Sequence, residues 1–70
     1  MKELIINALK DGKKVSFKFE KENTYSANVL IDELSNDDNY IFVGQFRSGK
    51  QANNDRIINL SVVQNIGIEH

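Results

Sequence analysis

The chain has 70 residues, a formal net charge of −1 and no cysteine. Its length allows a single domain over residues 1–70, and the lack of cysteine excludes disulfides and thiolate metal ligands. A charge so close to zero argues against binding nucleic acid through bulk electrostatics. No apolar run approaches the roughly 18 residues of a membrane span, and no signal-peptide pattern is present. We therefore expect a cytoplasmic protein that contacts no membrane.

Small size also bears on stability. A domain of about this length buries only about 60% of the surface that its unfolded chain exposes, so a monomer is marginally stable. Because no disulfide compensates, association of subunits is a reasonable source of buried area. We expect a homo-oligomer, with a stably folded monomer as the alternative.

The first predicted element is a short amphipathic helix. Its apolar stripe consists of Leu4, Ile5, Ala8 and Leu9, with Ile6 at the flank. Gly12 follows and suits the left-handed residue that commonly ends a helix. Because so short a helix is not stable alone in water, we expect it to dock on the rest of the domain.

The apolar period then changes from helical spacing to two. The first predicted strand buries Val15, Phe17 and Phe19 on one face. After a tight turn at Glu22-Asn23, a second strand places Tyr25, Ala27, Val29 and Ile31 on one face. An acidic, turn-rich segment at residues 32–39 leads to the next strand.

Residues 40–46 form the most apolar stretch, between turn-like clusters at 36–39 and 48–50. A strand that is apolar on both faces needs cover on both sides, which predicts the centre of the core.

A polar strand at 50–57, a turn or 3₁₀ segment at 58–61 and a last strand from Val62 or Val63 to Ile68 complete the chain. One helix and about five antiparallel strands predict a mainly β (α+β) domain, a small SH3/Sm-like barrel with the helix over one open end.

The order of these motifs resembles the WYL domain, an Sm-like (SH3-type) barrel of bacterial transcription regulators and some defence-associated proteins. Residues 4–19 resemble that family's opening helix and first strand. Residues 40–44, Tyr-Ile-Phe-Val-Gly, stand where the family has its Trp-Tyr-Leu strand, with Tyr40 at the Trp position. Residues 55–57, Asp-Arg-Ile, followed by Val62-Val63, resemble the Asp-Arg-Ile element and last strand.

The resemblance implies binding of a nucleotide or nucleic acid as a regulatory signal, often in a dimer or higher assembly. Asn53 stands where the family has an Arg that helps to form its ligand-binding surface. We expect a stand-alone domain without the helix-turn-helix that usually precedes it.

No residue pattern indicates catalysis. His70 is the sole histidine, and a frayed terminus does not hold an imidazole in the geometry that general-base catalysis needs. The carboxylates of the acidic segment match no calcium-binding loop, and no glycine-rich phosphate loop is present. We expect no enzyme activity, no metal and no cofactor.

The best candidate for a binding surface is the predicted hairpin from residue 45 to residue 56. Its amide and cationic side chains are those of Gln45, Arg47, Lys50, Gln51, Asn53, Asn54 and Arg56. Amides can bond to base edges, and Arg can bind phosphate or stack on a base. Phe46 or Tyr25 is a candidate stacking platform. The alternative is that polar residues on the wet face of a hairpin bind nothing.

A second candidate is the basic patch of Lys10, Lys13, Lys14 and Lys18, although lysines near a helix C-terminus are also favourable without any ligand.

The leading hypothesis is a non-enzymatic module that binds a nucleotide or nucleic acid through the 45–56 hairpin. The runner-up is a small protein-interaction module, an inhibitor or accessory protein of a phage or other mobile element that blocks a partner. A structural oligomer whose domains pair edge to edge is a third possibility.

Overall fold

A computed structural model describes residues 1–47, 50–51 and 54–69 of the chain. The predicted turn at Ser48-Gly49 and the terminal His70 lie outside these residues. In chain order the elements are α1 (Lys2–Lys10), β1 (Lys14–Lys18), a 3₁₀ turn (Glu20–Glu22), β2 (Thr24–Ala27), β3 (Val29–Asp32), β4 (Tyr40–Gly44), β5 (Phe46–Arg47), β6 (Lys50–Gln51), β7 (Arg56–Asn59), a second 3₁₀ turn (Leu60–Val62) and β8 (Asn65–Glu69).

The strands form two three-stranded antiparallel sheets, β2-β1-β8 and β3-β4-β7, and the ribbon β5-β6. The predicted N-terminal helix and mainly β, antiparallel architecture are confirmed. The sheets are not closed into the expected barrel, however. The chain passes from one sheet to the other at Asn28 and again at the 3₁₀ turn Leu60–Val62. At both places irregular backbone replaces ladder pairing, so in the described chain the two ladders stay separate.

Both sheets and the helix contribute to one hydrophobic core. Its buried members are Ile5, Ile6, Ala8 and Leu9 from α1, Val15, Phe17, Tyr25 and Ala27 from the first sheet, and Ile41, Val43 and Ile58 from the second. In β1 the predicted period of two is confirmed, because Val15 and Phe17 are fully buried between exposed lysines. Burial of such side chains is the dominant favourable term in folding, and here it fixes the inward face of every strand of the two sheets.

The helix docks in a different rotation from the predicted one. Ile5, Ile6, Ala8 and Leu9 are buried, whereas Leu4 is 63% exposed. These four buried positions make a continuous stripe at i, i+1, i+3 and i+4, and Leu4 falls outside it. The prediction that Leu4 is buried is therefore wrong, while Gly12, at φ 78, has the predicted left-handed conformation.

The predicted second strand is divided at Asn28 into β2 and β3. Tyr25 and Ala27 point inward as expected, but the bend resets the alternation. Leu30 now packs against the core, and Ile31 is exposed. A register shift between Leu30 and Asp32 accompanies this change and is typical of a β-bulge.

Strand β4 lies at the centre of its sheet, between β3 and β7. Ile41 and Val43 are fully buried, as predicted for the centre of the core. The opposite face is not covered to the same extent, since Phe42 is half-buried and Tyr40 is exposed. The strand ends at Gly44, and a new strand, β5, begins at Phe46.

This arrangement can be tested with two isoleucines on opposite faces of the second sheet. Ile41 is fully buried in β4, and Ile57 in the neighbouring β7 is 60% exposed. We expect Ile41→Ala to lower the free energy of unfolding by about 2–5 kcal/mol, and Ile57→Ala to change it by no more than about 0.5 kcal/mol. Urea unfolding followed by circular dichroism measures both. Equal losses would contradict the assigned faces.

Candidate functional site

A groove of about 400 Å³ follows β2 and the bend at Asn28, where the two sheets meet. We call it the β2 groove. Residues that line it include Lys14, Tyr25, Asn28, Gln45, Asn54 and Arg56. Three predicted binding residues, Gln45, Asn54 and Arg56, are thus brought together in one depression.

Arg56 and Tyr25 form the most distinctive contact of this groove. The Arg56 guanidinium carbon lies 4.7 Å from the centre of the Tyr25 ring, a cation–π geometry. Tyr25 itself is only 3% exposed, and its hydroxyl donates a 2.6 Å hydrogen bond to the Asn54 carbonyl. The ring is therefore a support under Arg56, and it does not present an open face on which a base could stack. Arg56 is the exposed group.

Side-chain amides build the wall of the groove. Gln45 Nε2 donates to the Ser26 carbonyl at 2.7 Å, and Asn54 Nδ2 donates to Gln45 Oε1 at 3.3 Å. A Gln side chain carries two N–H donors and two acceptor positions, and these two bonds occupy one of each. Gln45 therefore ties the hairpin to β2 and keeps hydrogen-bonding capacity for a molecule in the groove.

The Asn28 side chain holds the bend itself. Its Nδ2 donates to the Phe46 carbonyl at 2.8 Å, and its Oδ1 accepts from the Phe46 N–H at 2.7 Å. The Asn28 side-chain amide thus makes the two hydrogen bonds to Phe46 of β5 that the backbone of a neighbouring strand would otherwise make. A hydrogen bond from the Asn28 N–H to the Gly44 carbonyl, at 3.1 Å, adds a third tie at the same place.

Gly44 and Asp55, in two of the stretches on which the family resemblance depends, are in contact. A Cβ atom added at Gly44 would lie 2.5 Å from an Asp55 carboxylate oxygen and 3.0 Å from the Ile31 side chain. Only glycine permits this close approach without displacement. Arg56, the next residue, begins β7 and pairs with Val43 of β4, the residue before Gly44.

The described lining of the groove contains two cations, Lys14 and Arg56, and no carboxylate. The Lys14 amine lies 4.0 Å from a Glu69 carboxylate oxygen across β1 and β8, an exposed contact of little energetic weight. The lining itself therefore carries positive charge, while the carboxylates of Glu69 and Asp55 act on Lys14 and Tyr25 from just outside it.

The other predicted hairpin residues are placed less completely. Arg47 and Lys50 are paired across the β5-β6 ribbon, and Gln51 is paired with Phe46; for these three only the backbone is described. Asn53 lies outside the described residues. Phe46, the other candidate stacking platform, is 48% exposed.

The lysine patch is dispersed in the structure. Lys10 pairs with Glu33 at 3.0 Å and Lys13 approaches Asp11 at 3.9 Å, while Lys14 lines the β2 groove. The sequence pattern grouped Lys14 with the helix end and did not indicate that it lines the same groove as Arg56. Asn28 was missed as well, because it reads as one polar residue in an alternating strand.

The acidic segment caps its own backbone. Asp32 Oδ1 accepts from the Leu34 N–H at 2.9 Å, and Asp37 Oδ1 accepts from the Asn39 N–H at 2.8 Å. Such bonds are typical of Asx turns. Within the described ranges, no group of three or more acidic or histidine side chains is arranged to hold a metal ion. No helix among the same residues is long and apolar enough to cross a bilayer.

Comparisons with protein-family models, with curated proteins and with solved structures found no match to this chain. The resemblance to the WYL domain therefore stays a prediction from the sequence. The β2 groove has to be interpreted from its own chemistry.

Tyr25 makes the groove sensitive to alkaline pH. Burial raises the pKa of its phenol above the ordinary value of 10.0; the Arg56 guanidinium opposes this rise, and Asp55 adds to it. Since folding favours the protonated phenol, its contribution to stability is complete below about pH 10 and is lost as the pH rises through the folded-state pKa.

We expect Tyr25→Phe to lower the free energy of unfolding by about 1 kcal/mol at neutral pH, because the bond to Asn54 is lost. The variant should also lose stability less steeply than the wild type above about pH 10. Urea unfolding at several pH values measures both effects, with Tyr40→Phe, at the exposed tyrosine, as the control. A wild-type alkaline slope in Tyr25→Phe would contradict the assignment.

Proposed function

We propose that this chain is a non-enzymatic binding module that takes a nucleotide, or the nucleotides of a short single-stranded nucleic acid, in the β2 groove. The observation that carries the proposal is the exposed Arg56 guanidinium, supported from below by Tyr25 at 4.7 Å and flanked by the Gln45 and Asn54 amides. A flat cation beside amides is a combination that suits a nucleobase.

Each group has a role in this proposal. The outer face of a guanidinium plane can stack on a base, and the Tyr25 ring beneath reduces the conformational freedom that Arg56 has to lose on binding. The remaining donors and acceptors of Gln45 and Asn54 can bond to the edge of the stacked base. Lys14, on the same groove, is available for a phosphate as a point charge.

The charge distribution supports a contact with one or two phosphates in the groove, rather than a broad surface that attracts any polyanion. A protein with a net charge of −1 gains little from long-range attraction to nucleic acid. Two cations in a groove without a described carboxylate can still bind one or two phosphates. We therefore expect a small site with a shallow salt dependence, in contrast to the steep dependence of proteins that contact many phosphates.

The family resemblance adds a biological setting to this proposal. If the chain is a WYL-like domain, the bound nucleotide acts as a regulatory or defence-related signal. The described lining offers groups that recognise a ligand, and the proposed role is recognition.

The protein-interaction module is the second candidate, and exposed apolar side chains favour it. On the outer face of the second sheet, Ile57 is 60% exposed and Tyr40 is also exposed. Ile6 and Leu30 do not suit such a surface, because Ile6 is buried and Leu30 packs against the core. A partner would have to contact Ile57 and its neighbours.

The nucleotide proposal is tested by replacing Arg56. Fluorescence anisotropy with a labelled single strand of about 12 nucleotides, in DNA and RNA forms and at low salt, gives the affinity, and competition with mononucleotides gives the minimal ligand. We expect Arg56→Ala to weaken binding about tenfold or more, since stacking on one base is worth about 1–3 kcal/mol.

Arg56→Lys keeps the positive charge but removes the flat guanidinium group. Compared with Arg56→Ala, it should restore part of the salt dependence of binding but little of the affinity, because an ammonium group cannot stack as a guanidinium does. Lys18→Ala, which removes an exposed charge from β1, is the matched control and should bind as the wild type does. Wild-type affinity in Arg56→Ala, or no binding of any probe at low salt, would refute the proposal.

A further inference from the structure

Strand β8 forms one edge of the first sheet. The order β2-β1-β8 pairs it with β1 on one side, and none of the described strands pairs with its other side. The opposite edge of the sheet is different, because the Gln45 side chain covers the Ser26 carbonyl of β2. Edge strand β3 in the second sheet carries a register shift, a feature that blunts an edge.

The direction of the backbone groups shows which residues of β8 face this open side. The Phe19 N–H donates to the Asn23 carbonyl, on the β2 side of β1, while the preceding Lys18 carbonyl accepts from the Gln64 N–H, on the β8 side. Backbone groups alternate along a strand, so the even-numbered residues of β1 bond to β8.

The partners of these residues on β8 are Asn65, Gly67 and Glu69. The intervening Ile66 and Ile68 therefore point their N–H and C=O groups away from β1, toward the open edge. No Lys or Pro interrupts β8, although these are the residues that commonly protect an exposed edge.

We propose that β8 pairs antiparallel with β8 of a second copy, about a two-fold axis at Gly67. This register pairs the whole strand with itself: Ile66 lies opposite Ile68, Asn65 opposite Glu69, and Gly67 opposite its own symmetry mate. Each Ile66–Ile68 pair exchanges both backbone hydrogen bonds. No like charges face each other, so the edge is complementary to itself, as an isologous interface requires.

An apolar groove beside β8 supports the second copy as the occupant. Its volume is about 320 Å³, and Met1, Leu4, Val63, Ile66 and Ile68 are among the residues that line it. Ile66 and Ile68 pair with Phe17 and Val15, which places them on the inward face, next to α1. The same residues of the second copy would continue this face and contact Leu4, the helix residue left 63% exposed.

Pairing of the two edges joins two three-stranded sheets into one continuous sheet. A chain of 70 residues without cysteine gains buried apolar area and backbone hydrogen bonds in this way, which is the help that small domains commonly need. β8 lies at the opposite edge of the sheet from β2, so the dimer contact is independent of the proposed nucleotide site.

Gly67 permits a direct test. A Cβ atom added there meets nothing within 4 Å, so the subunit itself can accept a side chain. At the two-fold axis, in contrast, Gly67 and its mate form a non-hydrogen-bonded pair, whose Cα atoms lie about 4.5 Å apart. Gly67→Asp attaches two carboxylate side chains to these neighbouring Cα atoms, and Gly67→Lys attaches two ammonium side chains there.

We expect sedimentation equilibrium to give the wild type twice the 8.0 kDa mass of one chain, and Gly67→Asp and Gly67→Lys the mass of one chain each. An equimolar mixture of the two variants should recover the double mass, because opposite charges then meet at the axis. Recovery of the double mass in the mixture also tests the proposal if either variant folds poorly alone. A wild type that stays monomeric over a concentration series, a Gly67→Asp dimer as stable as the wild type, or a mixture that stays monomeric would overturn the proposal.

Discussion

The bend at Asn28 is the constraint on which the rest of the structure depends. β2 and β3 would be one strand without it, and the alternate side chains from Tyr25 to Ile31 would share one face. Instead the Asn28 amide bonds to both the N–H and the carbonyl of Phe46, which fixes the place where the chain leaves one sheet and enters the other. The core lies between these sheets, and the β2 groove lies along the seam that the bend creates.

The same seam explains why amides are concentrated there. At the bend between β2 and β3, backbone groups lose their ladder partners, and a side chain or water has to replace them. The exposed Asn28 side chain bonds to the Phe46 backbone, and the Gln45 side chain bonds to the part-buried Ser26 carbonyl. These amides therefore stabilise the fold whether or not a ligand binds, and their remaining donors and acceptors are what the groove offers to a nucleotide. Fold and proposed function thus draw on the same residues.

Local sequence patterns correctly predicted those features that depend only on residues of the same short segment. The alternation of Val15 and Phe17, the left-handed Gly12 and the central position of β4 all follow from residues close in sequence. Leu4, Ile31 and the closed barrel were predicted wrongly because each depends on tertiary contacts: the rotation of a docked helix, a bend held by a residue 18 positions away, and irregular backbone between the sheets.

The candidate site likewise combines residues that local sequence indicates with contacts that only the tertiary structure creates. Gln45, Asn54 and Arg56 stand out as polar residues of one predicted hairpin, so their composition alone was informative. Lys14 joins them only because β1 lies beside β2, and Tyr25 lies beneath Arg56 only because β7 approaches β2 at the seam. No short-range pattern encodes either contact, and they decide which residue is exposed for binding.

The two proposals have a combined geometric consequence. In the proposed dimer the strand order would be β2-β1-β8 continued by β8-β1-β2 of the second copy, so the two β2 strands lie at the far edges of one sheet. Five interstrand spacings of about 4.8 Å each separate them, which is about 24 Å before the twist of the sheet is considered. Pairing through β8 thus leaves both β2 grooves open. One single strand that reaches both grooves would bind with an avidity greater than that of either groove alone. A groove whose described lining holds two cations would then suffice for recognition.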